Sequence, residues 1–303
     1  MSYGVLGESL ESNRQKISGL TKVYGVIGDP IDHSLSPAIQ NTAFRSVGLN
    51  AIYVPFPVNE SELGSAVHGL MSLGVSGFNV TTPHKTAILR YLDKVDTQAA
   101  EIGSINTVRN QAGALIGFNT DGSGAMAAMR NAGLSLAGQS LLLLGAGGAA
   151  RAIAYSVCQS DCSVKLVNRT ASHARRLAKL LRRKFDITAD YAPLSRKAIH
   201  DCVDHADIIL NASSMGMDAK NNPPIEKTWL RRDQWVFDIV YRPLQTKLLR
   251  DAISQGTSAI NGIEMLLNQG AESFAIWTGK KAPTRAMRRA IAEKLRYEHV
   301  TGS

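Results

Sequence analysis

Long apolar runs, cysteines and targeting signals are what this 303-residue chain has least of. No apolar stretch approaches the ~20 residues that cross a bilayer, so no membrane partner is expected. The opening MSYGVLGESLESNRQKISG is polar and lacks an apolar signal core with a cleavage site. Residues 1–20 read as a loose leader before the first strand, in a cytoplasmic protein. The three cysteines, Cys158, Cys162 and Cys202, are an odd count without a metal-ligand spacing. Cys158 and Cys162 stand four apart where a helix turns to loop, which is not the CxxC of a zinc or redox site. No metal is expected, and the thiols read as buried and reduced. Low-complexity tracts and short repeats are absent as well.

Hydrophobic residues make up 44% and charged residues 19%, the balance of an ordinary globular protein. The length favours two domains. The formal charge of +9 raises the possibility of nucleic-acid binding. The densest basic runs, RRLAKLLRRK (175–184) and RAMRRAIAEK (285–294), sit on helical patterns with apolar residues between the charges. They lack the aromatic interleaving of a single-strand binder. Such runs read as solvated faces, and a basic surface suits anionic small molecules at least as well. No nucleic-acid partner is expected.

Along the chain, VYGVIG (23–28), AIYVPFPV (51–58) and VSGFNVT (75–81) read as strands. Helical spacing runs over Pro37–Gly48 and SELGSAVHGLMSLG (61–74). This β-α-β-α-β rhythm predicts a mainly parallel sheet with helices packed on it. SINTVRN and ALIGFNT flank Gln111-Ala112-Gly113, a hairpin on the same sheet. A second α/β unit begins near Asp121 with a helix over 124–132. It continues through LLLLGAGGAARAIAYSV and KLVNRT into a long helix ending near Lys184. The strands ADIILNAS (206–213) and QWVFDIVY (234–241) follow, with helix expected between them. After SAING (258–262), two helices, EMLLNQGAESFAIWTG and TRAMRRAIAEKL, close the chain.

LLLLGAGGAARA is the most legible stretch. Four leucines make a buried strand, and Gly145-x-Gly147-x-x-Ala150 follows at once to open a helix. The first glycine permits the tight turn, and the second lets the backbone approach a pyrophosphate. Ala150 lets helix and strand pack closely. The helix's first amides then face the phosphate charge. An NAD site usually ends the next strand with an acid on the ribose 2′-hydroxyl. Here that strand ends in Val167-Asn168-Arg169-Thr170, with no acid nearby. Arg169 is placed to meet a 2′-phosphate, with Arg175 and Arg176 farther along, so NADP is favoured over NAD. The competing reading of Arg169 is a plain surface arginine.

Hydride transfer at a carbinol carbon needs a group that takes or gives the hydroxyl proton. In NVTTPHK (79–85), Thr82 can cap a helix and Pro83 suits its first position. That places Lys85 in the first turn, where the macrodipole disfavours another positive charge and should lower its pKa. FNTDGSG (118–124) ends a strand at Asp121, which either partners the lysine or is a plain N-cap. Ser36-Pro37 in HSLSP (33–37) is an ordinary helix start. His33 and His84 are each a candidate base or a structural residue.

Taken in order, HSLSP, NVTTPHK, INT, NTDG, GAGGAA, NRT, NAS and MLLNQ resemble the motifs of the shikimate dehydrogenase family, from about Val23 to Leu295. The resemblance implies a two-domain α/β fold. The substrate domain would combine residues 1–120 with the returning C-terminal helices, 258–303, and a Rossmann domain would occupy 121–257. It implies reversible NADP-dependent oxidation of shikimate to 3-dehydroshikimate in aromatic amino-acid biosynthesis. The catalytic lysine matches Lys85 and its partner Asp121. Serines on the substrate carboxylate match Ser34 and Ser36, and ring-hydroxyl ligands match Thr81, Asn106, Asp121 and Gln269. Tyr241 matches a substrate-site tyrosine. The dinucleotide loop matches Gly145, Ala146, Gly147, Gly148 and Ala149, and the 2′-phosphate motif matches Asn168, Arg169 and Thr170. Ile239 matches a residue near the nicotinamide, and Gly262 a hinge glycine. A monomer or homodimer acting on small molecules is expected.

Several positions depart from the family pattern. His173 stands where many members have a second phosphate-binding arginine, so it joins the cofactor-site candidates. Thr82 and His84 are variants beside the lysine, and Asn261 stands where an aspartate often precedes the glycine. YRPLQTKLL and QGAESFAIWTGK resemble the quinate/shikimate branch, which accepts quinate and often uses NAD. A non-catalytic metabolite sensor on this scaffold would have no need for the Lys85–Asp121 pair.

Overall fold

The computed structural model describes residues 17–218 and 220–301. Of the expected leader, residues 1–16 lie outside the described residues. Two six-stranded sheets organise the rest.

The first sheet is built from β1 (Lys22–Gly28), β2 (Ala51–Pro57), β3 (Gly77–Val80), β4 (Lys94–Val95), β5 (Thr107–Gln111) and β6 (Ala114–Phe118). Its order is β2-β1-β3-β5-β6-β4. Helices α1 (Ser36–Ser46) and α2 (Leu63–Ser72) make the crossovers, and the short α3 (Thr97–Ile102) follows β4. The sheet is mixed. β1 runs parallel to β2 and β3, whereas β5 pairs antiparallel with β3 and β6. The hairpin is the reason: Ala112 and Gly113 both lie at positive φ, 52° and 89°, in a two-residue turn of the kind that suits the right-handed strand twist.

The second sheet comprises β7 (Ser140–Leu144), β8 (Ser163–Val167), β9 (Ala189–Ala192), β10 (Ile208–Asn211), β11 (Trp235–Asp238) and β12 (Ser258–Ile260). Its order is β12-β11-β10-β7-β8-β9, and every pairing is parallel. Leu141–Leu144 are buried on both faces, as a central parallel strand requires. Helices α4 (Asp121–Asn131), α5 (Gly148–Cys158), α6 (Ala171–Lys184), α7 (Arg196–Asp204) and α8 (Lys247–Gln255) cover it. In α6, Ala174, Leu177, Ala178 and Leu181 face the core at helical spacing, which leaves the basic run on the outer face. Among the described residues between 213 and 234, the expected α-helix is not there. That segment is loop with one 3₁₀ turn, Lys227–Trp229, and the helix α7 precedes β10 instead.

The C-terminal helices α9 (Gly262–Thr278) and α10 (Thr284–Thr301) return to the first sheet. Leu266, Phe274 and Trp277 of α9 and Met287 and Ile291 of α10 share a core with Tyr24, Phe44 and Tyr53. The Trp277 indole donates to the Val108 carbonyl at 2.9 Å, and Gln40 donates to Gly270 O at 2.8 Å. Met265, on the same α9, packs instead into the core beneath the second sheet. Strand β12 lies beyond the expected boundary at residue 257, so the division we propose falls just before Gly262. Among the described residues, no helix is long and apolar enough to cross a membrane.

Candidate active site

Asn106, just before β5, holds the centre of the site. Its Nδ2 donates to Asp121 Oδ1 at 3.0 Å, to Thr120 Oγ1 at 2.9 Å and to Gln269 Oε1 at 3.3 Å. Its Oδ1 accepts from the Thr120 amide at 2.8 Å. Thr120 is the N-cap of α4, so Asp121 is the first helical residue rather than the cap. The Asp121 amide donates to Asn119 Oδ1 at 3.0 Å, and Asn119 Nδ2 donates to Ser104 O at 2.7 Å. The NTDG turn is thus tied to the segment before β5 through three side chains. Gln269 comes from α9, which approaches α4 so closely that a Cβ on Gly124 would lie 2.9 Å from the Gln269 amide.

Lys85 Nζ meets Asp121 Oδ2 at 2.5 Å, with the lysine side chain 15% and the aspartate side chain 5% exposed. A pair so withdrawn from water is strongly interdependent, because removing one member leaves the other's charge without compensation. The expected helix start at Pro83 is not observed. Residues 82–86 form turns, and a 3₁₀ helix begins only at Ala87, with Thr86 as its N-cap. Lys85 O accepts the Ile105 amide at 2.8 Å and so leaves the local helical ladder. The macrodipole argument for Lys85 therefore has no basis, and its partner Asp121 and its burial define its environment. His84 is buried with Nε2 2.6 Å from Val58 O, a structural role. Thr81 is anchored by its amide to Ile27 O at 3.0 Å and lies against Gly28, where a Cβ would clash with its methyl.

Ser34 and Ser36 open α1, with the Ser36 amide donating to Ser34 Oγ at 3.2 Å. Ser36 also faces the Tyr53 hydroxyl, which donates to Asn79 Oδ1 at 2.7 Å. Burial raises the pKa of both Tyr53 and Tyr241, and the two rings' hydroxyls are close enough to influence each other. Burial lowers the His33 pKa, and the Arg242 guanidinium lowers it further. The serines of the first unit and the Tyr241-Arg242 segment after β11 therefore face one another.

On the cofactor side, Gly145 has φ +116°, and a Cβ there would come within 2.8 Å of Ala212 O. Only glycine fits that turn. Gly147 is the N-cap of α5 and contributes no side chain, and the space before it is open, with nothing within 4 Å of a Cβ. The first amides of α5 have no helical acceptors and point to this open space. An exposed backbone with unpaired amides and no side chain in the way fits a dinucleotide diphosphate. The Gly145 amide donates to Val167 O at 2.8 Å, which sets Asn168, Arg169 and Thr170 beside the turn. Arg169, His173, Arg175 and Arg176 are exposed there. A Cβ on Gly262 would clash with Ile239 O, so these two residues are in contact. Ala146 and Ala149 complete the turn and the start of α5.

Some participants have no motif signal. Tyr53 lies in an apolar strand pattern and reads as core, and Thr120 is hidden inside the NTDG turn. Asn79, Thr107 and Ser273 form a buried polar layer under Asn106, with Asn79 Nδ2 3.1 Å from Ser273 Oγ. Periodicity would have found only Asn79, as a polar residue in a buried strand.

Three family models match the chain. The shikimate dehydrogenase substrate binding domain covers residues 26–108, the shikimate / quinate 5-dehydrogenase model covers 126–241, and the shikimate 5′-dehydrogenase C-terminal domain covers 262–292. A shikimate dehydrogenase (NADP(+)) of Thermococcus kodakarensis is 45% identical over 273 residues, 90% of this chain and 97% of that one. A crystal structure of shikimate dehydrogenase in complex with NADP+ aligns with a TM-score of 0.85 at 38% identity, over 92% of this chain and 98% of that one. The Thermus thermophilus shikimate 5-dehydrogenase in complex with NADP(H) and shikimate gives 0.80 at 33% identity, over 90% and 99%. By sequence over nearly its whole length, and by fold, the chain belongs to the shikimate dehydrogenase family.

Proposed function

We propose that Lys85 carries the hydroxyl proton and Asp121 fixes its ammonium, in an enzyme that interconverts 3-dehydroshikimate and shikimate with NADP(H) in aromatic amino-acid biosynthesis. The observation that carries this reading is the 2.5 Å contact between Lys85 Nζ and Asp121 Oδ2 beside the glycine turn. Bound NADP(H) supplies or accepts the hydride. In the reducing direction, protonated Lys85 gives its Nζ proton to the carbonyl oxygen as negative charge develops there. In the oxidising direction, neutral Nζ removes the hydroxyl proton. Asp121 keeps the amine aimed and stabilises its charged form.

Ser34, Ser36 and Tyr241 take the substrate carboxylate, and Thr81, Asn106, Asp121 and Gln269 take the ring hydroxyls. The Asn106–Asp121–Gln269 cluster supports this, because a site that hydrogen-bonds each hydroxyl rejects analogues lacking one. Gly145–Ala149 hold the diphosphate, and Asn168, Arg169, Thr170 and His173 hold the 2′-phosphate end. Ile239 and Gly262 flank the nicotinamide. The first unit with α9 and α10 is the substrate domain, and the second sheet with its helices is the cofactor domain. The buried thiols Cys158 and Cys162, pushed up to about 12 by burial, suit a reducing cytoplasm.

Purified protein assayed with shikimate and quinate against NADP and NAD tests the substrate and cofactor together. Fastest turnover is expected for shikimate with NADP. A higher kcat/KM for quinate, or for NAD, would contradict the corresponding half of the assignment.

A further inference from the structure

Gly147 and Gly148 are neighbours in the turn, yet they face opposite surroundings. A Cβ on Gly147 meets nothing within 4 Å, whereas one on Gly148 would lie 2.8 Å from Lys85 Cβ, 3.0 Å from Lys85 Cδ and 2.7 Å from Ser104 Oγ. Gly148 is absent from the residues at left-handed φ, and helical backbone favours Ala over Gly. Local conformation therefore gives no reason for a glycine here. What a side chain here would meet is Ser104 and the stem of Lys85.

The contact between them is firmly built. Arg151 Nε donates to Ile102 O at 2.9 Å. The Tyr155 hydroxyl and Lys184 Nζ both bond the Glu101 carboxylate. Ile102 packs with Ala152 and Tyr155. These contacts press α5, and the end of α6 through Lys184, against residues 101–104. The bond from the Ile105 amide to Lys85 O, at 2.8 Å, fixes the lysine backbone to the same segment. The Lys85 side chain then runs past Gly148 to Asp121.

We infer that Gly148 is a positioning residue for Lys85: its missing side chain leaves the slot through which the lysine reaches Asp121 and the reacting oxygen. The inference rests on the reading of Lys85 as the proton carrier. One rigid helix thus presents its amide end to the cofactor and its flank to the lysine, so the hydride and proton sites share one frame. Packed interiors do not absorb an added methyl without displacement, and a misplacement of about 1 Å in a catalytic group costs ~100-fold.

Gly148→Ala tests this directly. It is expected to lower kcat at least about tenfold and to change the pH profile of kcat, while the NADP Kd rises less than in Gly147→Ala, because the backbone amide that faces the diphosphate is kept. Gly147→Ala is expected to act chiefly on the NADP Kd. Ser104→Ala with Gly148→Ala removes the hydroxyl at 2.7 Å, which has no hydrogen-bond partner to lose, and leaves both lysine contacts. This double variant is expected to regain any lost Tm while kcat stays low, and it carries the same readouts should the single variant fold poorly. A Gly148→Ala enzyme with wild-type kcat and pH profile, a loss confined to NADP affinity, or a double variant that regains kcat together with Tm would overturn the inference. Lys85→Ala separates the two ideas. If it keeps turnover, the reading of Lys85 fails. If it is inactive while Gly148→Ala is unimpaired, only the positioning role fails.

Discussion

The Asn106 amide donates to one oxygen of Asp121 at 3.0 Å and leaves the other oxygen to Lys85. One carboxylate is thereby held at both ends, by a neutral donor and by a charged one. Asp121→Asn keeps the shape and removes the charge. We predict a fall in kcat of about a hundredfold, the range of a lost acid–base arrangement. Lys85 then lacks compensation, and a loss of about 2–3 kcal/mol in unfolding free energy is expected, at the low end for a buried pair because the lysine is partly exposed. Steady-state kinetics and urea denaturation check the two halves.

Asn106 has a second duty, since its Oδ1 accepts the buried Thr120 amide at 2.8 Å. Asn106→Ala leaves that amide unsatisfied and is expected to cost about 1–3 kcal/mol, with a raised KM for shikimate. Asn106→Asp is nearly isosteric but turns an acceptor toward Asp121 Oδ1 and Gln269 Oε1. It is expected to lower kcat/KM further, increasingly as pH rises and the new carboxylate ionises. Equal kinetics for the two variants would contradict the assigned donor role.

Much of this arrangement was legible in the sequence, and the exceptions have physical causes. The glycine turn is readable because its constraints are local: a buried strand, a positive φ at Gly145 and an unobstructed helix start. NVTTPHK points to a lysine that does pair with Asp121, but for a reason the backbone does not support. A proline followed by TAILRYL reads as a helix start, yet the Lys85 carbonyl is taken by Ile105, twenty residues later in the chain, so the helix begins after it. The mixed sheet follows from the hairpin, and strand pairing is a non-local choice that a β-α-β rhythm does not specify. The described residues from 213 to 234 form no α-helix because their backbone bonds go to local turns, as with Gly216 N to Asn221 O at 2.6 Å. Tyr53 and Ser273 are hidden for a different reason. A polar atom on an otherwise core-like side chain shows its use only once its partner, brought from another element, is known.

Arg169 is exposed at the end of β8 with no acid in the following turn or helix. Arg169→Ala is expected to weaken NADP binding about tenfold or more, the loss of a charge-assisted contact to phosphate, with little change for NAD. Kd values for both dinucleotides by fluorescence titration check this, and equal losses would remove the 2′-phosphate role.

Asp238 is buried at the end of β11, where Asn211 Nδ2, the Val240 amide and Thr246 Oγ1 bond it, and burial raises its pKa from 3.8 to about 6. A raised carboxylate pKa means that the native state holds a proton the unfolded chain has released. The associated stability is present below about pH 4 and is lost as pH rises through about 6. Asp238→Asn cannot ionise. Its stability relative to wild type is therefore expected to improve between about pH 4.5 and 7.5, by an amount on the order of 2–3 kcal/mol. Thermal unfolding across that pH range reads the crossing, and parallel pH curves would contradict it.

The most direct test of the central claim is the kcat of Lys85→Ala with shikimate and NADP, measured beside its NADP Kd. The account predicts a kcat lowered by about a thousandfold, with the NADP Kd close to wild type. Turnover near the wild-type rate would show that some other group moves the proton.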